Sequence, residues 1–325
     1  MRILVIGGAG YIGSHVVKSL LNAGMEVRVL DDLSTGQRIN LFPNAEFMRG
    51  SILDKSVLEK AMQCVDGVIH LAAKKAVGES MDFPELYAEN NLIGAINILN
   101  TMAKLNIKYL VFSSSAAVYG MPDYPKIDEN HPLKPINFYG FTKLEMERYM
   151  QWYDRLKGIK YIALRYFNAV GYDATGEIIG LEEKPQNLLP VIMETLVGLR
   201  PEMSVFGSDY ETSDGTCIRD YIHVSDLATA HTLALQYLAR ENKSHSLNLG
   251  TGTGHTVLEM IQTTERVLGR KVNYKMAERR AGDPSVLMAV SNQAHALLGW
   301  YPTQSDLENI ILTTWNVYRK HYPNA

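Results

Sequence analysis

The sequence predicts an α/β protein built on a doubly wound parallel sheet, and three observations carry that prediction. Short β-branched apolar runs alternate with segments of helical period, the first run opens into a glycine-rich turn, and a serine-rich strand end precedes a long helix. Ile3–Ile6 is a four-residue apolar run, enough for a buried strand but too short for a secretory signal or for the ~18 residues of a membrane span. Ile12–Ala23 then reads as a helix and Val27–Leu30 as the second strand. The alternation continues with a helix over Val57–Cys64, a strand over Gly67–Leu71, a helix over Asn91–Leu105 and a strand over Tyr109–Ser113. A helix over Tyr139–Leu156 and a strand over Tyr161–Arg165 complete the series. Each strand–helix–strand step at this spacing is a crossover between parallel neighbours, which covers both faces of the sheet with helices.

After about Asn168 the pattern changes to a stretch rich in glycine and proline, from Gly171 to Gly215. A helix resumes behind Ser225, the expected N-cap, with Leu227, Ala230, Leu233, Ala234, Tyr237 and Leu238 on one face. Ser246–Leu249 reads as a strand returning to the sheet. Residues 1–167, with about 218–250 returning, are therefore expected to form the sheet domain. Residues 168–217 and 251–325 are expected to form a smaller domain, with a ligand in the cleft between them.

Composition removes several function classes. The 325 residues carry 32 basic against 35 acidic side chains, a net charge of −3, so no basic surplus follows a nucleic acid or an anionic membrane. Two cysteines, Cys64 and Cys217, cannot build a disulfide framework or a zinc site of CxxC type. The nine histidines include no pair at i, i+3 or i, i+4, so no metal is expected. These features describe a cytosolic α/β protein, so a cytoplasmic location is expected.

The chemistry-bearing residues lie on the predicted strand ends. Gly7, Gly8, Gly10 and Gly13 stand between the first strand and the first helix, where glycines permit a tight turn and close approach of a pyrophosphate to the helix N-terminus. Asp31 closes the second strand, where a carboxylate accepts both ribose hydroxyls and repels a 2′-phosphate, favouring NAD over NADP. Tyr139 and Lys143 form a YxxxK pair on one helical face. To act as a base near neutrality the phenol must fall about 3 units, for which Lys143 and the positive nicotinamide ring are suitable sources. A second YxxxK, Tyr153/Lys157, reads as a core aromatic and a solvated lysine. Ser113-Ser114-Ser115 at the end of the fourth strand separates the two pairs, because the C-terminal edge of a parallel sheet is where ligands bind. Ser113 and Ser114 are expected to satisfy local backbone groups.

The segments Gly7–His15, His70–Ser80, Asn90–Asn91, Phe112–Gly120, Tyr139/Lys143, Arg165–Gly171, Asn187–Pro190, Arg219–Val224 and Arg279–Asp283 occur in order. Together they resemble the UDP-glucose 4-epimerases of the extended short-chain dehydrogenase/reductase family, from residue 1 to about Trp300. The resemblance implies an NAD-binding Rossmann domain and a UDP-sugar-binding domain, a homodimer, and interconversion of UDP-galactose and UDP-glucose in galactose metabolism. It implies that Tyr139 takes the proton of the sugar 4-OH while hydride moves from C4 to tightly held NAD. The 4-keto sugar then swings about its diphosphate link and hydride returns to the other face. Lys143 would hold the nicotinamide ribose and Ser115 would bond the reacting oxygen. By the same resemblance Gly7, Gly10, Tyr11, Ile12, Gly13, Asp31, Asp32, Ser51, Ile52, Leu71, Ala72, Ala73, Lys75, Asn90 and Phe167 contact the cofactor. Lys75, Asn168, Asn187, Leu188, Val205, Phe206, Arg219, Tyr221, Arg280, Asp283 and Leu287 contact the UDP-sugar. Independently of the resemblance, two arginines can neutralise a diphosphate with forked hydrogen bonds.

Two positions depart from the family pattern. The usual Gly-Asp-Ile that reaches the adenine amino group is Gly50-Ser51-Ile52 here, and Leu287 stands where relatives carry a tyrosine or a small residue. UDP-GlcNAc/UDP-GalNAc and UDP-pentoses are thus alternative substrates. A nucleotide-sugar 4,6-dehydratase or decarboxylase needs an acid just after the serine strand, where this chain has Ala116-Ala117. A net dehydrogenase would consume added NAD, and a catalytically dead sensor would have lost Tyr139 or Lys143.

Overall fold

The computed structural model describes residues 1–280 and 282–323. Strands β1 (Arg2–Ile6), β2 (Glu26–Asp31), β3 (Glu46–Arg49), β4 (Gly67–His70), β5 (Tyr109–Ser115), β6 (Lys126–Ile127) and β7 (Lys160–Tyr166) occupy the first half. Then come β8 (Asn168–Val170), β9 (Met203–Phe206), β10 (Ile218–His223), β11 (His245–Leu249), β12 (Gly254–Thr256), β13 (Tyr274–Ala277) and β14 (Val286–Ala289). Helices α1 (Tyr11–Asn22), α2 (Lys55–Ala61), α3 (Val77–Asp82), α4 (Pro84–Tyr87), α5 (Gly94–Lys104) and α6 (Phe138–Lys157) lie among the early strands. They are followed by α7 (Leu188–Leu196), α8 (Val224–Glu241), α9 (Val257–Leu268), α10 (Asn292–Leu298) and α11 (Leu307–His321).

Seven parallel strands form the central sheet in the order β11-β7-β5-β4-β1-β2-β3. Alternate residues of one strand feed opposite layers, which is why these strands are continuously apolar rather than alternating. Ile3 and Val5 pack with Val16, Leu20, Leu227 and Leu235 of α1 and α8. Leu4 and Ile6 pack with Leu58, Ile98, Leu99 and Met146 of α2, α5 and α6. The predicted doubly wound sheet is thus observed, with β11 returning to pair with β7.

Three local expectations are corrected. β3 was not anticipated, because its four residues are only partly covered and show no apolar run. Regular helix begins at Gly94 rather than Asn91, after a π-helical turn over Ala88–Ile93. The cap of α8 is His223, not Ser225: β10 runs directly into the helix, and the Ser225 amide donates to His223 Nδ1 at 3.0 Å.

β10 joins a second sheet with β8, β12, β14 and β6, while β9 pairs with β13. Beneath them α7, α9 and α11 enclose another core, including Leu189, Ile192, Met260, Ile310 and Trp315. Among the described residues no helix is long and apolar enough to cross a membrane, and no cluster of His, Cys, Asp or Glu could hold a metal ion.

Candidate active site

Because the central strands are parallel, their C-terminal ends share one edge, and the chain leaves β1 and β4 toward opposite sides there. Gly7 turns with φ +85°, and a Cβ on Gly13 would stand 2.0 Å from the Gly7 carbonyl oxygen, so only glycine lets α1 start this close to the strand. Gly10 caps α1 without a side-chain bond, and a Cβ there would meet nothing nearer than 3.4 Å. As at any helix start, the first amides of α1, those of Tyr11 and Ile12 included, have no carbonyl one turn earlier in the helix to bond, which suits an anion. Tyr11 itself points elsewhere, donating to the Gly171 carbonyl at 2.5 Å, and Ile12 packs on the core.

Asp31 is buried at the end of β2 and accepts the amides of Ala9 and Leu33, each at 2.9 Å. Burial pushes its carboxyl up while those two amides hold it down. Asp32, exposed, accepts the Ser34 amide at 2.8 Å. Ser51 accepts the Leu53 amide at 3.2 Å, leaving its hydroxyl proton free to donate, and Ile52 is buried. Leu71 and Ala72 follow β4 with both amides tied to the Ile6 carbonyl, and Ala73 continues the same edge. An open helix terminus beside a buried carboxylate on the next strand fits a dinucleotide with a free ribose, so the residues present suit NAD.

The reacting groups come from β5 and α6. Asn137 caps α6 by accepting the Gly140 amide at 2.8 Å, which places Tyr139 in the first turn. A Cβ at Gly140 would lie 2.4 Å from the Ala117 carbonyl oxygen, so glycine allows this turn to rest against the end of β5. Tyr139 there meets Ser115, whose hydrogen bond opposes the upward push of burial on the phenol. Lys143 is buried, donates to the Ser113 carbonyl at 2.6 Å, and lies 4.8 Å over the Phe112 ring and 5.7 Å from that of Tyr139. Burial pushes Lys143 down to about 7, with Glu147 pulling it up. The expected lowering of the phenol is thus not produced by these groups of the chain, because desolvation outweighs the Ser115 bond. Ser113 and Ser114 also differ from expectation: their hydroxyls bond the side chains of Tyr166 and Glu147, since both lie in the interior rather than at a turn. Lys157 is exposed as expected, but Tyr153 is only partly buried rather than a core aromatic, because its hydroxyl reaches Asn100 at 2.6 Å near the surface.

A second wall is built from β8, β9, β10, β14 and the loops beside them. Arg219 on β10 pairs with Asp283 and stands opposite Leu287 of β14 in register. Arg280 lies 4.0 Å over the Phe206 ring. Leu287 and Phe167 both pack on a cluster containing Tyr119 and Leu144, which joins this wall to α6. Asn168 donates to the Asp220 carbonyl at 3.1 Å, and Asn187 caps α7 with its side chain unbonded and exposed. Leu188, partly buried, opens α7 against the lower core. Val205 and Tyr221 bury their side chains in that core, so what those positions offer a ligand is backbone. Lys75 is paired with Glu182, and Asn90 donates to the Leu86 carbonyl at 3.2 Å.

Sequence reasoning missed Asn91, which is buried and bonds Lys74 on both its carbonyl and amide as well as Thr142. It also missed Glu147, although the spacing 139, 143, 147 puts a carboxylate on the helix stripe of the YxxxK pair.

Residues 3–250 match the NAD dependent epimerase/dehydratase family. The chain is 45% identical over 324 residues to the UDP-glucose 4-epimerase of Lactobacillus helveticus, covering 99% of this chain and 98% of that one. It is similar to the UDP-glucose 4-epimerase of Brucella ovis in complex with NAD, with a TM-score of 0.95 at 42% identity and 98% of each chain covered. For the Stenotrophomonas maltophila UDP-glucose-4-epimerase with bound NAD and formylated UDP-arabinopyranose, the TM-score is 0.96 at 40% identity, with 100% of each chain covered.

Proposed function

Because the chain belongs to the NAD dependent epimerase/dehydratase family, we propose that it interconverts UDP-galactose and UDP-glucose at C4, as a cytoplasmic homodimer that keeps its NAD. The observation that carries this reading is the meeting of Ser115, Tyr139 and Lys143 at the sheet edge onto which the glycine turn also opens. NAD, when bound, would supply a reversible hydride acceptor and a positive charge. The α1 amides would hold its pyrophosphate and Asp31 its adenosine ribose, while Lys143 would hold the other ribose. Tyr139 takes and returns the proton of the 4-oxygen, which Ser115 keeps in place. Arg219 and Arg280 grip the diphosphate, so the sugar is left free to turn and present either face. For that grip Asp283 has to release Arg219 to the phosphates.

On this reading residues 1–167, with about 218–250, carry the cofactor, and 168–217 with 251–325 carry the UDP-sugar. The homodimer is supported by the outer face of α6, where Trp152 and Leu156 are 57% and 69% exposed in line with Phe141. The test is purified protein with UDP-galactose and no added nucleotide. Formation of UDP-glucose is expected. Activity that appears only with added NAD would trace to weak retention around Ser51, and no conversion in either case would reject UDP-galactose as substrate.

Leu287 sets which sugars enter. A tyrosine there adds a ring beside Phe167, so Leu287→Tyr is expected to suppress any UDP-N-acetylhexosamine turnover while UDP-galactose turnover stays within about threefold. Parallel assays on both substrates check this, and undiminished N-acetylhexosamine turnover by the variant refutes it.

A further inference from the structure

Three residues of α6 at successive i, i+4 positions face three successive residues of β5, and two of them bond there. Tyr139 lies beside Ser115, Lys143 donates to the Ser113 carbonyl at 2.6 Å, and Glu147 accepts the Ser114 hydroxyl at 2.5 Å. Glu147 is 1% exposed and Arg165 of β7 is 4% exposed. Their fork is bidentate, with Nε to Oε1 at 3.0 Å and Nη2 to Oε2 at 2.5 Å. Ser246 of β11 adds a bond to the same carboxylate at 3.2 Å, and Arg165 continues to the Tyr119 hydroxyl at 3.0 Å. One carboxylate thus ties α6 to β5, β7 and β11 one helical turn behind the lysine.

We propose that Glu147, held by Arg165, is a positioning residue for the reaction: it fixes the register of α6 on β5 and keeps the Lys143 ammonium charged beside Tyr139. The proposal rests on the 4-epimerase reading for its catalytic consequence, not for its electrostatic one. A buried ion pair is weak evidence for stability alone, because apolar residues of similar volume pack there as well or better. A carboxylate one turn from a buried lysine has a use that an apolar pair lacks.

The groups around Lys143 leave that part to Glu147. On α6 it faces Tyr139 and Glu147; on β4 it faces His70, which burial and the lysine charge push down to about 3 and so hold neutral. On β5 it meets the Ser113 carbonyl and the Phe112 ring. On β7, Tyr166 lies beyond Ser113 and Arg165 lies beyond Glu147. Glu147 itself also faces Tyr161 of β7, whose phenol is pushed up to about 12 by burial and by this carboxylate. Of these, Glu147 is the anionic side chain that favours the ammonium, and Arg165 opposes it from behind.

The sign follows. The charged fraction of Lys143 falls as pH rises through its titration, so removing the Glu147 charge moves that loss to lower pH. The test is the Glu147→Gln protein, in which glutamine keeps an acceptor for Ser114. Lys143 is titrated through its ¹³Cε shift in lysine-labelled full-length protein and assigned by its absence in Lys143→Arg. The midpoint is expected to fall by about one pH unit relative to wild type, the low end for losing a nearby opposite charge. The alkaline limb of kcat should move the same way, with the KM for UDP-galactose changing less than about twofold. Glu147→Asp should restore part of the midpoint.

If Glu147→Gln does not fold, Glu147→Gln/Arg165→Met removes both buried charges, and a lowered midpoint is again expected because it is the carboxylate, one turn along α6, that favours the ammonium. An unchanged midpoint in either folded variant, whatever happens to its melting temperature, overturns the proposal. Because the NMR titration requires no turnover, a protein inactive on UDP-galactose but with the expected shift would fail only the substrate reading.

Discussion

Tyr139→Phe loses about 10²–10⁴-fold in kcat, the range expected when a positioned acid–base group is removed. The change deletes one oxygen. The ring stays at the start of α6, the cap by Asn137 is untouched, and Lys143 keeps its bond to the Ser113 carbonyl. On the proposed reading the arginine wall anchors the substrate without the phenol, so KM should move little, the pattern of a group whose contribution is made in the transition state. Steady-state conversion of UDP-galactose, with melting temperature measured alongside, checks this. A variant within about threefold of wild type would mean that another group carries the proton. Ser115, which stands beside the phenol, is the first candidate.

The largest loss of stability is expected from Arg165→Met. The substitution keeps most of the side-chain volume but leaves Glu147 as a buried, unpaired carboxylate, a defect that costs about 3–5 kcal/mol. In a chain of 325 residues this corresponds to a fall of roughly 4–7 °C in Tm. Adding Glu147→Gln should recover much of that loss, because the uncompensated charge goes with it. Calorimetry of the single and double variants decides the point. A double variant no more stable than Arg165→Met would show that packing, not the charge, was lost.

The sequence alone determined those features whose causes are local to the chain. Continuous apolar runs gave away strands buried on both faces, as at Ile3–Ile6 with side chains feeding two layers. The glycine turn was legible because a positive φ at Gly7 and close approach at Gly13 exclude side chains, and the Tyr139/Lys143 pair because helix geometry puts i and i+4 together. β3 escaped notice because only part of each residue is covered, leaving no periodic signal in four positions. The α8 cap moved to His223 because a strand runs into that helix without a loop.

Only the tertiary structure decided which distant groups meet. Arg219 finds Asp283 and Lys75 finds Glu182 across loops whose path no local propensity dictates. Glu147 is the instructive case. Its spacing from Lys143 was visible in the sequence, but helix spacing alone cannot distinguish an exposed glutamate from one that is 1% exposed. That choice was made when β5, β7 and β11 closed over α6, removing water from the carboxylate and leaving Arg165, Ser114 and Ser246 to replace it. The direction of the Tyr139 shift was decided in the same way. The sequence places a lysine near the phenol, but desolvation depends on what packs around both, and in the folded protein it outweighs the Ser115 bond.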